Sequence, residues 1–286
     1  MKKYFSIIYY IMLISFSVYV VLDTLLISKT YEKIDNNSST IADGTYTSNS
    51  YEDENIKINL STYRKYNTSI YVANIYTDIK YIKTAFANNT YGKNITSKTS
   101  SIASENNAVL AINGDYYGVQ EAGYVLRNKV IYRNKAKTNQ EDLVIYEDGT
   151  FEIINESSIT LEKLEENGAY QVLSFGPALI ENGVININES TEVGKSMASN
   201  PRTAIGIIDE NHYVFVVSDG RTNESKGLSL YELAIFMKSL GVKTLYNLDG
   251  GGSSTMYFNG EVINKPTTNG KKITERSVSD IVYIGY

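Results

Sequence analysis

The sequence predicts an α+β domain with a mixed or antiparallel sheet and few helices, preceded by one N-terminal transmembrane helix. Three observations lead there. Short runs rich in β-branched and aromatic residues outnumber helical stretches, and most are joined by tight turns. The clearest helical period is confined to residues 229–240. Residues 4–22 form an uncharged apolar run unlike anything after it.

Lys2 and Lys3 precede that run, which extends from Tyr4 to Leu22. At ~1.5 Å per residue it is roughly 28 Å long, near the thickness of the bilayer hydrocarbon. The exit, Leu25-Leu26-Ile27-Ser28-Lys29-Thr30, has no small-x-small cleavage site. Residues 1–28 are therefore expected to be an uncleaved signal anchor. Lys2 and Lys3 would hold the N-terminus in the cytoplasm and leave the rest outside the cell. Residues 29–54 are rich in Asn, Ser, Thr, Asp and Glu without apolar periodicity, and are expected to be a flexible polar tether. A domain over 55–286 follows.

Within it, Ile56–Leu60 alternates and Ile70–Ile75 is β-rich, so both predict strands. Residues 98–106 suit a short helix, and Ala108–Ile112 a buried strand. Tyr124–Leu126, Val130–Tyr132, Leu143–Tyr146 and Phe151–Ile154 predict short strands, the last two joined by an Asp148-Gly149 turn. Gln171–Ser174, Ala178–Ile180, Ala204–Ile208 and Tyr213–Ser218 continue the series, with residues 188–200 expected to be a polar loop. Leu230, Leu233, Ala234, Met237 and Leu240 define one face of the helix over 229–240, and Gly241 is its stop. Val242–Leu248 is then a strand.

Composition removes several function classes. The net charge is −5, so no nucleic-acid partner is expected. With no cysteine, a disulfide, a thiolate nucleophile and a Cys-ligated metal are all excluded. A Ser-His-Asp triad would need the single histidine, His212, which reads as a solvated turn residue between two strands.

Chemistry concentrates at strand ends. Asn247-Leu248-Asp249-Gly250-Gly251-Gly252-Ser253 places three glycines after a strand, where backbone N–H groups could cradle an anion. The Lys of a phosphate-binding P-loop is missing. Asn113-Gly114-Asp115 also follows an apolar strand, and Ser218-Asp219-Gly220-Arg221 ends another. Arg202 opens a fourth. Asp115, Asp219 and Asp249 are thus candidate acids, bases or nucleophiles, and Arg202 and Arg221 candidate phosphate ligands. Each segment reads equally well as a plain turn. Ser229-Leu230-Tyr231-Glu232 is a capping box, which accounts for Glu232 without catalysis.

Seven ordered motifs add to this reading: AINGDYYG at 111–118, FGPALIENG at 175–183, NPRTAIG at 200–206, VVSDGRT at 216–222, LSLYELAIFMKSLG at 228–241, NLDGGGSST at 247–255 and ERSVSD at 275–280. Together they resemble the phosphodiester glycosidase family over roughly residues 55–286. The resemblance implies hydrolysis of a sugar–phosphate diester at the anomeric carbon. It implies catalytic roles among Asp115, Asp219, Asp249 and Glu232. Substrate and phosphate contacts would come from Asn113, Gly114, Arg202, Arg221, Asn247, Gly250, Gly251, Gly252, Ser253 and Arg276. The substrate expected is a carbohydrate phosphodiester of a cell-surface glycan or polymer. No cofactor is required by this chemistry, although clustered Asp and Asn oxygens could hold Ca²⁺ or Mg²⁺. Two other classes stay open: a non-catalytic surface-anchored glycan-binding module, and an envelope-assembly protein.

Overall fold

The computed structural model describes residues 2–34, 42–191 and 199–286. Part of the polar loop expected over 188–200 lies outside these residues. Among them, every pair of bonded strands is antiparallel, which resolves the mixed-or-antiparallel expectation.

The apolar run forms helix α1 (Lys2–Leu25). It is long and apolar enough to cross a bilayer, and none of its apolar window is buried against the rest of the protein. α1 is thus a candidate membrane span and not a core helix.

The largest sheet has nine strands, in the order 184–185, 178–181, 244–247, 202–209, 212–218, 68–77, 56–65, 50–52 and 45–46. One face carries Ile70, Val72, Val214 and Val216 against the helix Leu230–Ser239. The other face supplies Ile58, Ile75, Ile205 and Phe215 to the main core. There it meets two five-stranded sheets. One has the order 261–262, 256–258, 110–113, 280–284, 82–86, and the other 130–133, 125–127, 169–173, 141–146, 151–155. Leu110, Ile112, Val282 and Ile284 come from the first, and Leu143, Ile145 and Leu173 from the second. Side chains of this kind each contribute roughly 1.5–3 kcal/mol on full burial.

Two short helices lie between strands: α2 (Thr99–Glu105), at the place the sequence suggests, and α3 (Leu161–Glu166), which Thr160 caps by accepting from Lys163 N–H. The last helix, α4 (Leu230–Ser239), buries Leu230, Leu233, Ala234, Phe236 and Met237, as the apolar period requires.

The expectation of a flexible tether over 29–54 is corrected. Lys29–Lys33 pairs with Thr90–Lys93, and Thr45–Tyr46 and Ser50–Glu52 form the edge of the nine-stranded sheet. Tyr51 supplies the reason: its ring is fully buried among Ile56, Ile58 and Phe258, and one such anchor ties down an otherwise polar edge. Residues 35–41 of that segment lie outside the described ones. His212 stacks on Tyr76 with ring centroids 4.1 Å apart, and its Nε2 lies 3.2 Å from Asn74 Oδ1. It takes no part in the site described next.

Candidate active site

Three strand ends meet above the core. The strand 110–113 delivers Asn113, the strand 244–247 delivers Asn247, and the strand 202–209 begins at Arg202. They are knitted together by backbone and side-chain bonds. Asn113 Nδ2 donates to the Asp249 carbonyl (2.6 Å), and its Oδ1 accepts from Thr203 Oγ1 (2.8 Å). Leu248 N–H donates to the Thr203 carbonyl, and Gly251 N–H to the Pro201 carbonyl. The loop after Asn247 is therefore held from both sides.

A cavity of about 200 Å³ opens over this junction, lined by Phe175, Asn200, Arg202, Arg221, Asn247, Leu248, Asp249, Gly250, Gly251 and Arg276. Among the described residues its lining carries three guanidinium groups and one carboxylate. Arg276 pairs with Asp249 at 3.0 Å, and its Nε and Nη2 also donate to Ser253 Oγ. Asp249 is mostly enclosed, at 13% side-chain exposure against 40% for Arg276. Burial raises the Asp249 pKa above the ordinary carboxylate value, and Arg276 opposes the shift. Arg221 is held by Asn200 Oδ1 (3.1 Å) and the Thr268 carbonyl. Burial lowers its pKa, as does the nearby Arg276 charge. Arg202 is almost fully buried, and its Nε donates to the Leu228 carbonyl at 2.9 Å. Asn247 Oδ1 is buried without a hydrogen-bond partner, while its Nδ2 donates to Gly176 O.

The glycines work differently from a simple amide nest. Gly251 has φ +62, and a Cβ there would fall 2.8 Å from Arg221 Nη2, so glycine lets the guanidinium lie against the loop. Its N–H is already committed to Pro201. Gly252 is pressed on Thr268, and neither it nor Ser253 lines the cavity. Ser253 instead orients Arg276.

Several expected site residues lie elsewhere. Asp115 is fully buried, and its carboxylate bonds Arg127 Nη2 (2.7 Å), Ser174 N–H (2.8 Å) and Tyr117 N–H (3.1 Å). Arg127 also holds Asp280 at 2.9 Å. Gly114 is needed for this cluster, because a Cβ would come 2.1 Å from Asp280 Oδ1. Asp219 accepts from Tyr71 OH, Asn264 Nδ2 and Lys265 N–H, which fastens a loop. Glu232 accepts Ser229 N–H at 2.8 Å, while Ser229 Oγ accepts Glu232 N–H at 3.0 Å. Glu232 is thus the helix cap, and none of these three acids lines the cavity. Sequence reasoning missed Phe175, Asn200 and Leu248 at the cavity and Arg127 behind it. Arg127 had a signal: a lone charge closing the apolar run Tyr124-Val125-Leu126.

A phosphodiester glycosidase family model matches residues 106–285. The chain belongs to the phosphodiester glycosidase family. Among curated proteins it is 27% identical over 191 residues to the SPbeta prophage-derived uncharacterized protein YomE of Bacillus subtilis, covering 65% of this chain and 29% of that one. It is 38% identical over 114 residues to the human N-acetylglucosamine-1-phosphodiester alpha-N-acetylglucosaminidase, covering 36% and 22%. The chain thus spans less than a third of either relative. The fold is shared with the zebrafish N-acetylglucosamine-1-phosphodiester alpha-N-acetylglucosaminidase catalytic domain, auto-inhibited by its pro-peptide (TM-score 0.65, 22% identity, 91% of this chain and 88% of that one). A hypothetical protein from Synechocystis shares it too (TM-score 0.56, 15% identity, 81% and 62%). Among the described residues no group of three or more His, Asp or Glu is arranged to hold a metal ion. Asp249, the one acid among the described residues that line the cavity, is bonded by Arg276.

Proposed function

We propose that this protein is an extracytoplasmic, membrane-anchored hydrolase that cleaves a sugar-1-phosphodiester of a cell-surface glycan or polymer. The observation that carries the reading is the cavity's lining: among the described residues Arg202, Arg221 and Arg276 share it with one enclosed carboxylate, Asp249, which Arg276 bonds. A phosphodiester is a monoanion whose departure leaves a dianion, so the leaving group needs charge stabilisation more than a proton. Arg276 and Arg221 sit where they can give paired donors to its oxygens, with Arg202 behind them. Water adds to the anomeric carbon, the bond from that carbon to the phosphate oxygen breaks, and its electron pair leaves with the phosphate. The products are a free sugar and a phosphomonoester. Asp249 is the group placed to take the water's proton or to stabilise the oxocarbenium-like centre. Phe175 offers an apolar wall for a sugar face.

The orientation follows from Lys2 and Lys3 ahead of α1. A panel of aryl phosphodiester sugars and UDP-N-acetylglucosamine tests the activity. Wild type releases free sugar and Asp249→Asn does not. A protein that binds these ligands but releases nothing is a glycan-binding module, and the hydrolase reading is then wrong.

A further inference from the structure

The join between α1 and the domain is the part of the molecule the glycosidase reading leaves unused. Only residues 26–28 separate the last helical residue, Leu25, from Lys29, the first residue paired with Lys93. That short join is clamped. Asn94, in a left-handed turn at φ 55, donates its Nδ2 to the carbonyls of Thr24 (3.3 Å) and Ile27 (3.1 Å). The Asn94 carbonyl accepts from Ser28 Oγ at 3.0 Å. Lys29 pairs with Asp23 at 2.7 Å, across the helix end. A flexible tether of 26 residues would have let the domain wander over roughly 25–30 Å. This join gives it almost no slack.

The same junction lies close to the cavity. From Asn94 three residues lead to Ser97, which exchanges two backbone bonds with Val278 (3.0 and 2.8 Å), and Arg276 is two residues before that. At 3.8 Å between successive Cα atoms and about 5 Å across a bridge, Arg276 lies no more than roughly 24 Å from Asn94, and the hydrogen bonds from the Asn94 side chain to Thr24 and Ile27 add at most roughly 10 Å to the helix exit. The surface around the exit suits a bilayer. Tyr31 and Tyr116 are exposed there (58% and 43%), Tyr116 two residues from Gly118, whose carbonyl accepts Asn94 N–H. Tyrosine favours the headgroup level. Lys93 bonds Glu121, and Lys29 and Lys135 lie near enough to help hold that carboxyl below its ordinary value. Lys93 is buried in its pair with Glu121 and Lys29 is paired with Asp23, which leaves Lys135 as the basic group of this surface not so paired and the tyrosines as its main bilayer-facing feature.

We propose that the domain is seated on the bilayer at a fixed height, and that its substrate is a membrane-attached sugar-1-phosphodiester whose scissile bond stays within roughly 35 Å of the lipid surface. This rests on the phosphodiester glycosidase reading. It excludes a distant wall polymer and selects a lipid-borne glycosyl phosphate.

The test uses the full chain in phosphatidylglycerol-containing nanodiscs and two probes of matched chemistry. One is N-acetylglucosamine-1-phosphate esterified to dioleoylglycerol and the other the same sugar phosphate esterified to glycerol. At equal bulk concentration the lipid diester is expected to turn over at least about tenfold faster, because confinement raises its effective concentration. Inserting a 30-residue Gly/Ser linker after Ser28 frees the domain over roughly 30 Å. It is expected to cut that preference several-fold and leave the glycerol diester rate unchanged. Equal rates for the two probes in wild type, or a preference that survives the insertion, overturn the proposal while the glycosidase reading stands. Release from neither probe overturns both.

Discussion

Two aspartate–arginine clusters lie within a few residues of each other, and they differ in one respect. Behind the site, Arg127 is shared by Asp115 and Asp280, with every side chain at 1% exposure or less. At the cavity, Asp249 is shared by a half-exposed Arg276 and neighbours Arg221 and Arg202. In the first cluster the guanidinium is saturated by protein carboxylates, so nothing is left for a ligand. In the second, the described residues set three guanidinium groups beside one carboxylate, and the group lines an opening. The comparison teaches that a site is marked by unbalanced charge at a surface. Charge that is merely present at a strand end is not enough.

The largest expected effect tests that difference directly. Asp249→Asn should lower turnover by about 10²–10⁴-fold, the range for a positioned acid or base, with a melting temperature close to wild type. Sugar-release assays beside thermal denaturation check both halves. If turnover survives, Asp249 is only a partner for Arg276. Arg127→Met should do the converse. Removing one partner of a buried ion pair costs about 3–5 kcal/mol, since it strands the carboxylates Asp115 and Asp280. Urea unfolding should show that loss, and a variant as stable as wild type would mean that one of the two acids is already neutral. Asp280 is the candidate, because burial raises its pKa, as does Asp115, against the pull of Arg127.

The sequence distinguishes these clusters poorly, and the reason is topological. Asp115 and Asp249 each follow an apolar strand and neighbour a glycine. What separates them is Arg127, brought in by a strand twelve residues on, and Asp280, 165 residues away. No local pattern encodes that meeting. Gly114 shows the same limit. Its signal is a glycine beside an acid, which reads as ligand approach, yet its cause is contact with Asp280. Helix α4 was fully legible, because its apolar period and its cap are both local. The strands at 82–86 and 90–93 are hard to read, since Lys83 and Thr84 are adjacent polar residues in the first and Gly92 interrupts the second. The charged cavity was legible in part. The structure brings Asp249, Arg202, Arg221 and Arg276, which the motifs single out, to one cavity, whereas Phe175 and Leu248 carry no chemical signal of their own.

A smaller effect distinguishes the clusters by pH. Asp142, near Asp115, is pushed up to about 10, first by burial and then by the adjacent Glu156. Both of its oxygens are buried with no hydrogen-bond partner. The unfolded chain releases this proton near pH ~4 and the folded chain only far above that, so between those limits the folded state holds more protons. Stability must therefore fall as pH rises through that window. Urea midpoints above about pH 7 should decline by at least about 1 kcal/mol for wild type and stay nearly flat for Asp142→Asn. An equal slope in both would place the titration elsewhere. Asp249→Asn keeps Asp142 and should keep that slope, less only the share that Asp249 adds, since burial raises its pKa too, against the pull of Arg276.

The smallest effect concerns Glu232, where the family resemblance and the helix cap compete for one residue. Both hydrogen bonds of the capping box are present, and replacing an N-cap serine by alanine costs about 1 kcal/mol. Ser229→Ala and Glu232→Gln should each lose about that much stability and keep turnover within twofold. Thermal melts and sugar release on the same samples decide it. A tenfold loss of turnover in Glu232→Gln, with Ser229→Ala still active, would mean that the carboxylate reaches substrate in a conformation unlike this one. An acid can satisfy a sequence motif by holding a helix end, and α4 then bears on the cavity only by packing on the strand 244–247 that leads to Asp249.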